Sequence, residues 1–198
     1  MNSIDTIIKE YPFKIILGSA SPRRQELLKS LGFEFIINPI NADESEWPSD
    51  LQAQEICMHL AEKKAALYPE ELKENEVLIT ADTIVWCEGK VYNKPANFVE
   101  GKKMLQSLSG RMHEVFTAVC LKGANKQTTF FDASKVYFKK LKDDEIEYYL
   151  TNYSPYDKAG GYGAQDWIGY IGIDKIDGSF YNVMGLPVKE LFEELIKF

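Results

Sequence analysis

A short segment near the start of the chain combines two hydroxyl side chains with two adjacent guanidiniums. It begins at Ser19 and reads Ser-Ala-Ser-Pro-Arg-Arg. Ser21 is favourable just before a helix, and Pro22 is favourable at its first position. Arg23 and Arg24 then fall in the first turn, where the helix dipole disfavours positive charge unless an anion binds there. The hydroxyls of Ser19 and Ser21, the backbone N–H groups and both arginines predict a phosphate-binding turn, and a solvated surface turn is the alternative.

An aspartate interrupts the most apolar stretch of the sequence. Residues 77–86 are nearly continuous apolar sequence, typical of a buried strand, and Asp82 lies in their middle. A buried carboxylate costs free energy unless it is paired, bound to a metal ion or part of a functional site. Asp82 is therefore a candidate catalytic residue, as a metal ligand or as a base that activates water. The alternative is a structural carboxylate that accepts backbone hydrogen bonds.

Four further charged residues are candidates for binding a metal ion or for neutralising phosphate charge. Asp43 and Glu44, in a predicted loop over residues 38–50, offer the oxygen ligands that Mg²⁺ or Mn²⁺ takes together with substrate phosphates. Lys64, on a predicted helix, and Lys94, kept extended by the proline that follows it, are candidates for catalytic neutralisation of phosphate charge. Each signal is weak alone, because solvated acids in loops and lysines on helices are common.

A glycine-rich segment over residues 157–165 contains the last candidate. It has three glycines in four residues, which lets the backbone approach a ligand closely. The spacing matches neither a P-loop nor the dinucleotide-binding fingerprint. Gln165 offers both a donor and an acceptor, the pairing that the imide edge of uracil or thymine needs. An ordinary irregular loop is the alternative.

The elements that must position these residues indicate a mixed α/β fold. We predict strands over 14–19, 33–37, 77–86, 114–122, 127–138 and 168–176, and helices over 22–31, 51–68, 98–108, 143–150 and 187–197. The sequence Gly-Ala-Asn at Gly123 indicates a hairpin turn. Residues 1–13 are interpreted as an N-terminal extension and residues 14–198 as a single domain.

Composition and charge restrict the class of protein. The 198 residues, 45% hydrophobic and 27% charged, are typical of one domain or a compact two-lobed unit. The sequence shows neither an apolar run of membrane-spanning length nor a signal peptide, which favours a cytoplasmic protein with no membrane partner. A net charge of −7 disfavours binding to a nucleic-acid polymer. Three separated cysteines and two histidines disfavour a disulfide framework and exclude a multi-histidine metal site.

Taken together, these residues resemble the Maf family of nucleotide pyrophosphatases. The motifs that carry the resemblance are Ser-x-Ser-Pro-Arg-Arg (19–24), Ala-Asp-Thr (81–83), Lys-Pro (94–95), Leu-Ser-Gly (108–110), Asp-Lys-Ala-Gly (157–160), Gly-Tyr-Gly-x-Gln (161–165) and Val-Met-Gly-Leu-Pro (183–187). They follow the family's order from about Lys14 to the C-terminus, which makes the match specific. One departure is Asp166, which stands where the family frequently has glycine.

The resemblance implies both a fold and an activity. The implied fold is a Maf/ITPase-like elongated mixed sheet flanked by helices, with two lobes around a central cleft, often homodimeric. The implied activity is metal-dependent cleavage of nucleoside triphosphates to the monophosphate and pyrophosphate. Asp82 matches the family's catalytic aspartate, whereas Arg23, Thr83 and Gln165 match positions linked to base selectivity. This combination is similar to the subgroup that acts on dTTP and UTP.

The expected mechanism places Mg²⁺ or Mn²⁺ on Asp82 with Asp43 or Glu44, bridging the substrate phosphates. Water attacks the α-phosphorus and pyrophosphate leaves, with positioning and electrostatics supplying most of the acceleration. The remaining phosphate charge is neutralised by Arg23, Arg24, Lys64 and Lys94. Asp82 acts as base, ligand or both.

Two alternatives stay open at this stage. The family takes its name from a septum-inhibition phenotype, so the chain is alternatively a nucleotide-binding regulator of cell division with little turnover. The second alternative keeps the same chemistry and site but takes modified pyrimidine nucleotides, such as 5-methyl-UTP or pseudouridine triphosphate.

Overall fold

The computed structural model describes residues 3–198, in which strands and helices alternate along most of the chain. The strands are β1 (Lys14–Leu17), β2 (Phe35–Ile37), β3 (Glu76–Cys87), β4 (Lys90–Tyr92), β5 (Met112–Lys122), β6 (Gln127–Phe138) and β7 (Ile173–Asp177). The helices are α1 (Ile4–Lys9), α2 (Pro22–Ser30), α3 (Gln54–Ala66), α4 (Phe98–Leu108), α5 (Asp143–Tyr153), α6 (Trp167–Gly172), α7 (Phe180–Met184) and α8 (Val188–Leu195), with a 3-10 helix over Ala159–Gly161. None of these helices has the length and apolar composition needed to cross a membrane.

The seven strands form one mixed sheet. Its order is β2-β1-β3-β5-β6-β7, and β4 pairs with β3 beside this path. Strand β1 runs parallel to both neighbours, with Leu17 opposite Ile37 on β2 and opposite Ile79 on β3. Strands β4 and β7 are antiparallel to β3 and β6. The predicted α/β class, a mixed sheet flanked by helices, is confirmed.

Contacts along the chain divide it into two compact units. The first comprises the chain up to residue 82 together with residues 117–132 and 185–198, and the second comprises residues 83–116 and 133–184. The apolar core of the first unit draws on strands β1 and β3 and on helices α2, α3 and α8. Its fully buried side chains include Leu17, Leu28, Leu60, Ile79 and Leu191.

The second unit has its own apolar core, in which helix α4 lies close against helix α5. Leu105 of α4 and Leu150 of α5 belong to one cluster of buried side chains. A Cβ added at Gly101 of α4 would lie 2.9 Å from a methyl group of Leu150, so glycine permits the close approach of the two helices.

One predicted strand is partly wrong. Residues 168–172 belong to helix α6, and strand β7 begins only at Ile173. The reason is that a short apolar run fits a buried strand and a buried helix equally well. Gly169 is needed here, because a Cβ at this position would lie 1.9 Å from the carbonyl oxygen of Ala164. Strand β4, helices α1 and α7 and the 3-10 helix were not predicted. The division into an extension and a single domain stays a prediction.

The imidazole of His113, on β5, is buried among aromatic rings of the second unit. Its Nε2 lies 2.7 Å from the Tyr162 hydroxyl oxygen, and the rings of Phe138 and Tyr162 meet it edge-on. Its Nδ1 is buried without a hydrogen-bond partner among residues 3–198. Burial lowers the pKa of His113 to about 4 from its ordinary 6.5. The folded chain therefore holds this imidazole in the neutral form.

We expect His113 to make the folded state sensitive to acid. The pKa of His113 is lower in the folded than in the unfolded chain. The stability that its neutral imidazole contributes to the folded state is therefore present above pH 6.5 and is lost as pH falls towards 4. This loss amounts to about 3 kcal/mol of unfolding free energy. Urea denaturation between pH 7 and pH 4.5 measures it, and His113→Phe should remove that part of the pH dependence. Parallel curves for the two proteins would contradict the prediction, and His59→Phe serves as the matched control.

Candidate active site

One side of helix α3 faces the middle of strand β3. Cys57, Ala61 and Lys64 are spaced four and three residues apart, so they share one side of the helix. The Thr80 hydroxyl donates to the carbonyl of Ala61 at 2.7 Å, which ties the strand to the helix one turn before Lys64. This packing brings the lysine to the level of Asp82.

The ammonium group of Lys64 is the centre of a buried polar cluster in the first unit. Its Nζ lies 2.5 Å from Oδ1 of Asp82 and 2.7 Å from Oε1 of Glu44. It also donates to the carbonyl of Ala81 at 3.2 Å. The Lys64 and Asp82 side chains are each only 6% exposed. The structure thus brings together three of the charged residues selected from the sequence, through one shared cation.

Arg24 joins the same stretch of β3 from helix α2. Its Nη1 donates to the carbonyl of Ala81 at 2.9 Å, and its Nε donates to the carbonyl of Gly185 at 2.8 Å. The carbonyl of Ala81 therefore accepts from both Lys64 and Arg24. These bonds hold the guanidinium of Arg24 against the sheet, at the carbonyl of the residue that precedes Asp82.

The predicted phosphate-binding turn lies at the start of helix α2. Pro22 is the first helical residue and Ser21 precedes it, as predicted, but the Ser21 side chain makes no capping hydrogen bond. Instead, the Ser21 backbone N–H donates to the Ser19 hydroxyl at 3.2 Å. Ser19 is buried, whereas Ser21 and Arg23 are half-buried.

The surroundings of Asp82 act on its proton affinity in opposite directions. Burial raises its pKa, and the positive charges of Lys64 and Arg24 oppose that rise. The net effect is a pKa above the ordinary value for aspartate. A carboxylate with a raised pKa is a stronger base towards water than a solvated one. The same carboxylate is also a hard oxygen ligand for a divalent cation.

The two acidic residues of the preceding loop differ in their contacts. Glu44 reaches Lys64, whereas Oδ1 of Asp43 accepts hydrogen bonds from the Ser45 backbone N–H at 2.8 Å and from its hydroxyl at 2.6 Å. These bonds lower the pKa of the exposed Asp43. Within residues 3–198, no group of three or more His, Cys, Asp or Glu side chains is arranged to hold a metal ion. A metal role for Asp43 stays a prediction.

Three of the predicted residues belong to the second unit. Thr83 is half-buried on β3, and Lys94 is exposed just after β4. Gln165 is half-buried immediately before helix α6, and its Oε1 atom is buried without a hydrogen-bond partner in the described part of the chain. This amide oxygen is an acceptor that a ligand N–H would satisfy.

Sequence reasoning missed the thiol of Cys57. Its Sγ donates to the carbonyl of Asp82 and accepts from the backbone N–H of Ala118, each at 3.1 Å. A side chain thereby links β3 and β5 at the candidate catalytic residue. The available signal was spacing: Cys57 precedes Lys64 by seven residues, which places both on one face of a helix.

Such a site suits a protein that binds phosphate groups and moves a proton, built on a mixed α/β sheet. The chain belongs to the family described as Maf-like protein, whose family model matches residues 14–198. The resemblance drawn from the sequence motifs is therefore confirmed.

Several similar proteins with a functional name match nearly the whole chain. The dTTP/UTP pyrophosphatase of Parabacteroides distasonis is 49% identical over 186 residues, covering 94% of this chain and 96% of that protein. The dTTP/UTP pyrophosphatase of Bacteroides thetaiotaomicron is 48% identical over 185 residues, covering 93% and 96%. That of Flavobacterium johnsoniae is 48% identical over 183 residues, covering 92% and 94%.

The comparison with solved structures found partial matches to two Ham1 proteins. The Staphylococcus aureus Ham1 protein has a TM-score of 0.44 and 13% identity, covering 63% of this chain and 71% of that chain. The HAM1 protein from Coxiella burnetii has a TM-score of 0.41 and 17% identity, covering 64% and 73%.

Proposed function

We propose that this chain hydrolyses dTTP and UTP to the nucleoside monophosphate and pyrophosphate, by attack of water on the α-phosphorus. The observation that carries the proposal is the match to relatives designated dTTP/UTP pyrophosphatases, 48–49% identical over more than nine-tenths of the chain. The buried Lys64–Asp82–Glu44 cluster supplies groups suited to that chemistry.

The phosphate-binding role falls to the first unit. Arg24 and Lys64 supply positive charge next to Asp82, and the start of α2 adds Arg23 and the hydroxyls of Ser19 and Ser21. In a partly dehydrated site such fixed charges stabilise the negative charge that develops on a transferred phosphoryl group. Lys94 stays a candidate for the same role. Asp82 orients the attacking water, as its base or through a bound cation.

The donor set fits a hard divalent cation, which we propose to be Mg²⁺ or Mn²⁺. Oxygens of Asp82 and Glu44 lie 2.5 and 2.7 Å from the Lys64 ammonium nitrogen, so the two carboxylates lie close together in this cluster. Mg²⁺ commonly takes one or two carboxylates together with substrate phosphates and water. When bound, the cation would neutralise phosphate charge and polarise the α-phosphoryl group. Asp43, in the same loop, is the alternative second ligand.

Base selectivity is proposed to depend on Gln165, with Thr83 and Arg23 as further determinants. The buried, unpartnered Oε1 of Gln165 is suited to accept the imide N–H of uracil or thymine. Cytosine has an acceptor at that ring position, so it would leave the amide oxygen unsatisfied. A site built on such a bond discriminates strongly against the base that lacks the donor.

The cellular setting is also a proposal. Three buried cysteines without disulfides suit the reducing cytoplasm. The homodimer implied by the family resemblance stays a prediction.

The test is pyrophosphate release from dTTP, UTP, CTP, ATP, GTP and 5-methyl-UTP by the purified chain. It is run with Mg²⁺, with Mn²⁺ and after chelation with EDTA. We expect pyrophosphate release to be selective for uracil and thymine nucleotides. The activity should co-elute with the protein, disappear with EDTA and return when metal is added. A nucleotide that binds without being cleaved under every condition would overturn hydrolysis and favour a regulatory nucleotide-binding protein. Unchanged release after chelation would overturn the metal requirement alone.

A further inference from the structure

Gln165 lies on a tight backbone turn in the second unit. The N–H of Asp166 donates to the carbonyl of Gly163 at 3.0 Å, which closes a four-residue turn with Gln165 at its third position. The N–H of Gly169 then donates to the carbonyl of Asp166 at 2.9 Å, where helix α6 begins. The orientation of the Gln165 side chain therefore depends on how firmly the two ends of this turn are held.

One tyrosine hydroxyl holds both ends of the turn. The Tyr149 hydroxyl donates to Oδ2 of Asp166 at 2.7 Å and accepts from the backbone N–H of Gly163 at 3.0 Å. Tyr149 belongs to helix α5, and its side chain is fully buried in the core of the second unit. A rigid, packed ring thus anchors a turn that would otherwise depend on its own backbone bond.

The Asp166 carboxylate is confined against the backbone of the turn. A Cβ added at Gly163 would lie 2.6 Å from Oδ2 of Asp166, so the carboxylate occupies the space beside this glycine. The ammonium of Lys158, whose side chain is 13% exposed, lies 3.7 Å from the same oxygen. A residue without a side-chain acceptor at position 166 would offer no group for the Tyr149 hydroxyl. In this chain the Asp166 carboxylate completes a side-chain clamp.

We propose that Tyr149 and Asp166 form a positioning pair that sets the base selectivity exerted through Gln165. The pair acts on the reaction only by holding the turn, so that the buried amide oxygen of Gln165 stays aimed at the imide N–H of the base. This inference rests on the proposed function, since it concerns how the same site tells uracil and thymine from cytosine. Neither residue is assigned a contact with the substrate.

The first test removes the hydroxyl and keeps the ring. In Tyr149→Phe we expect the ratio of kcat/KM for UTP over CTP to fall about tenfold, the size of one lost buried hydrogen bond. The kcat for UTP should stay within about twofold, because the groups proposed to act on the phosphates are unchanged. Tyr148→Phe, the neighbouring residue on α5 with a 49% exposed side chain, is the matched control and should leave the ratio unchanged.

A second pair of variants tests the carboxylate. Asp166→Asn keeps an oxygen that accepts from the Tyr149 hydroxyl and should preserve the ratio, whereas Asp166→Ala should lower it as Tyr149→Phe does. A ratio that is unchanged in Tyr149→Phe, or in a folded Asp166→Ala variant, would overturn the inference. The side chain of Asp166 is 17% exposed, so these substitutions test the clamp even if the tyrosine variant folds poorly.

Double substitution separates positioning from a general structural effect. In a Gln165→Ala background, Tyr149→Phe should change the UTP/CTP ratio no further, because the residue through which it acts is absent. An additional tenfold loss would show that Tyr149 acts by another route and would overturn the inference. If Gln165→Ala itself leaves the ratio unchanged, the proposed base-reading role of Gln165 fails, and the clamp inference fails with it. A ratio that responds to Gln165→Ala but not to Tyr149→Phe overturns the clamp alone.

Discussion

Replacing Lys64 with methionine is expected to destabilise the folded chain by about 3–5 kcal/mol. The substitution keeps most of the side-chain volume but leaves the Asp82 carboxylate buried without the ammonium that lies 2.5 Å from its Oδ1. Removing one partner of a buried ion pair has this effect because the remaining charge loses its nearest compensating charge. Urea denaturation at pH 7 measures the loss. The loss should shrink as the pH is lowered, since protonation makes Asp82 neutral.

Two comparisons make this prediction specific to the buried pair. Lys63→Met changes the preceding residue, whose ammonium donates to the carbonyls of Asp43 and Glu46 in the exposed loop, and should cost about 1 kcal/mol. The double variant Lys64→Met/Asp82→Asn should recover part of the stability, because no buried carboxylate remains at position 82. Equal losses in Lys63→Met and Lys64→Met would show that Lys64 makes no special contribution.

Replacing Asp82 with asparagine is expected to lower kcat for dTTP by about 10²–10⁴-fold, the usual contribution of a positioned acid–base group. Asparagine has nearly the same shape but accepts a proton poorly and binds a divalent cation weakly. The loss is therefore expected whether Asp82 acts as base, as ligand or as both. Initial rates of pyrophosphate release measure it, and calorimetric titration with dTMP should show binding changed only a few-fold.

The matched control is Asp50→Asn, an exposed aspartate in the loop before helix α3. It makes the same chemical change without touching the cluster and should retain full turnover. Near-normal turnover in Asp82→Asn would remove this residue from the catalytic assignment. Comparison with Lys64→Met, assayed at a temperature where both variants are folded, distinguishes loss of the carboxylate from loss of its partner.

The sequence predicted the candidate site mainly through charged residues at positions where a charge is energetically unfavourable. Asp82 could be selected because an ionised group in an apolar strand requires a partner, and Arg24 because cations in the first turn of a helix are unfavourable. The contact between Lys64 and Asp82 could not be predicted, because it depends on how helix α3 packs against β3. The sequence did not distinguish Asp43 from Glu44 as a candidate metal ligand. It is the path of the loop that places Glu44, and not Asp43, next to Lys64.

In the fold, too, features defined by local sequence were predicted, whereas features that depend on long-range packing were not. Helix α4 and strand β6 have the predicted boundaries, since amphipathic period and turn residues define them locally. Residues 168–172 were predicted as strand because their apolar pattern fits both structures. The clamp formed by Tyr149 and Asp166 joins residues 17 positions apart across a helix and a glycine-rich loop, so no local pattern indicates it.

The cysteines give the folded chain a definite behaviour towards oxidants and alkylating reagents. All three thiols are buried, and burial raises the pKa of Cys57, Cys87 and Cys120. Attack on such reagents requires an accessible thiolate, and the native structure provides neither the access nor the charge. Modification of these thiols must therefore wait for local or global opening of the folded chain. The rate of thiol labelling therefore measures how often that opening occurs. Labelling of Cys57 requires that β3 and β5 separate beside Asp82.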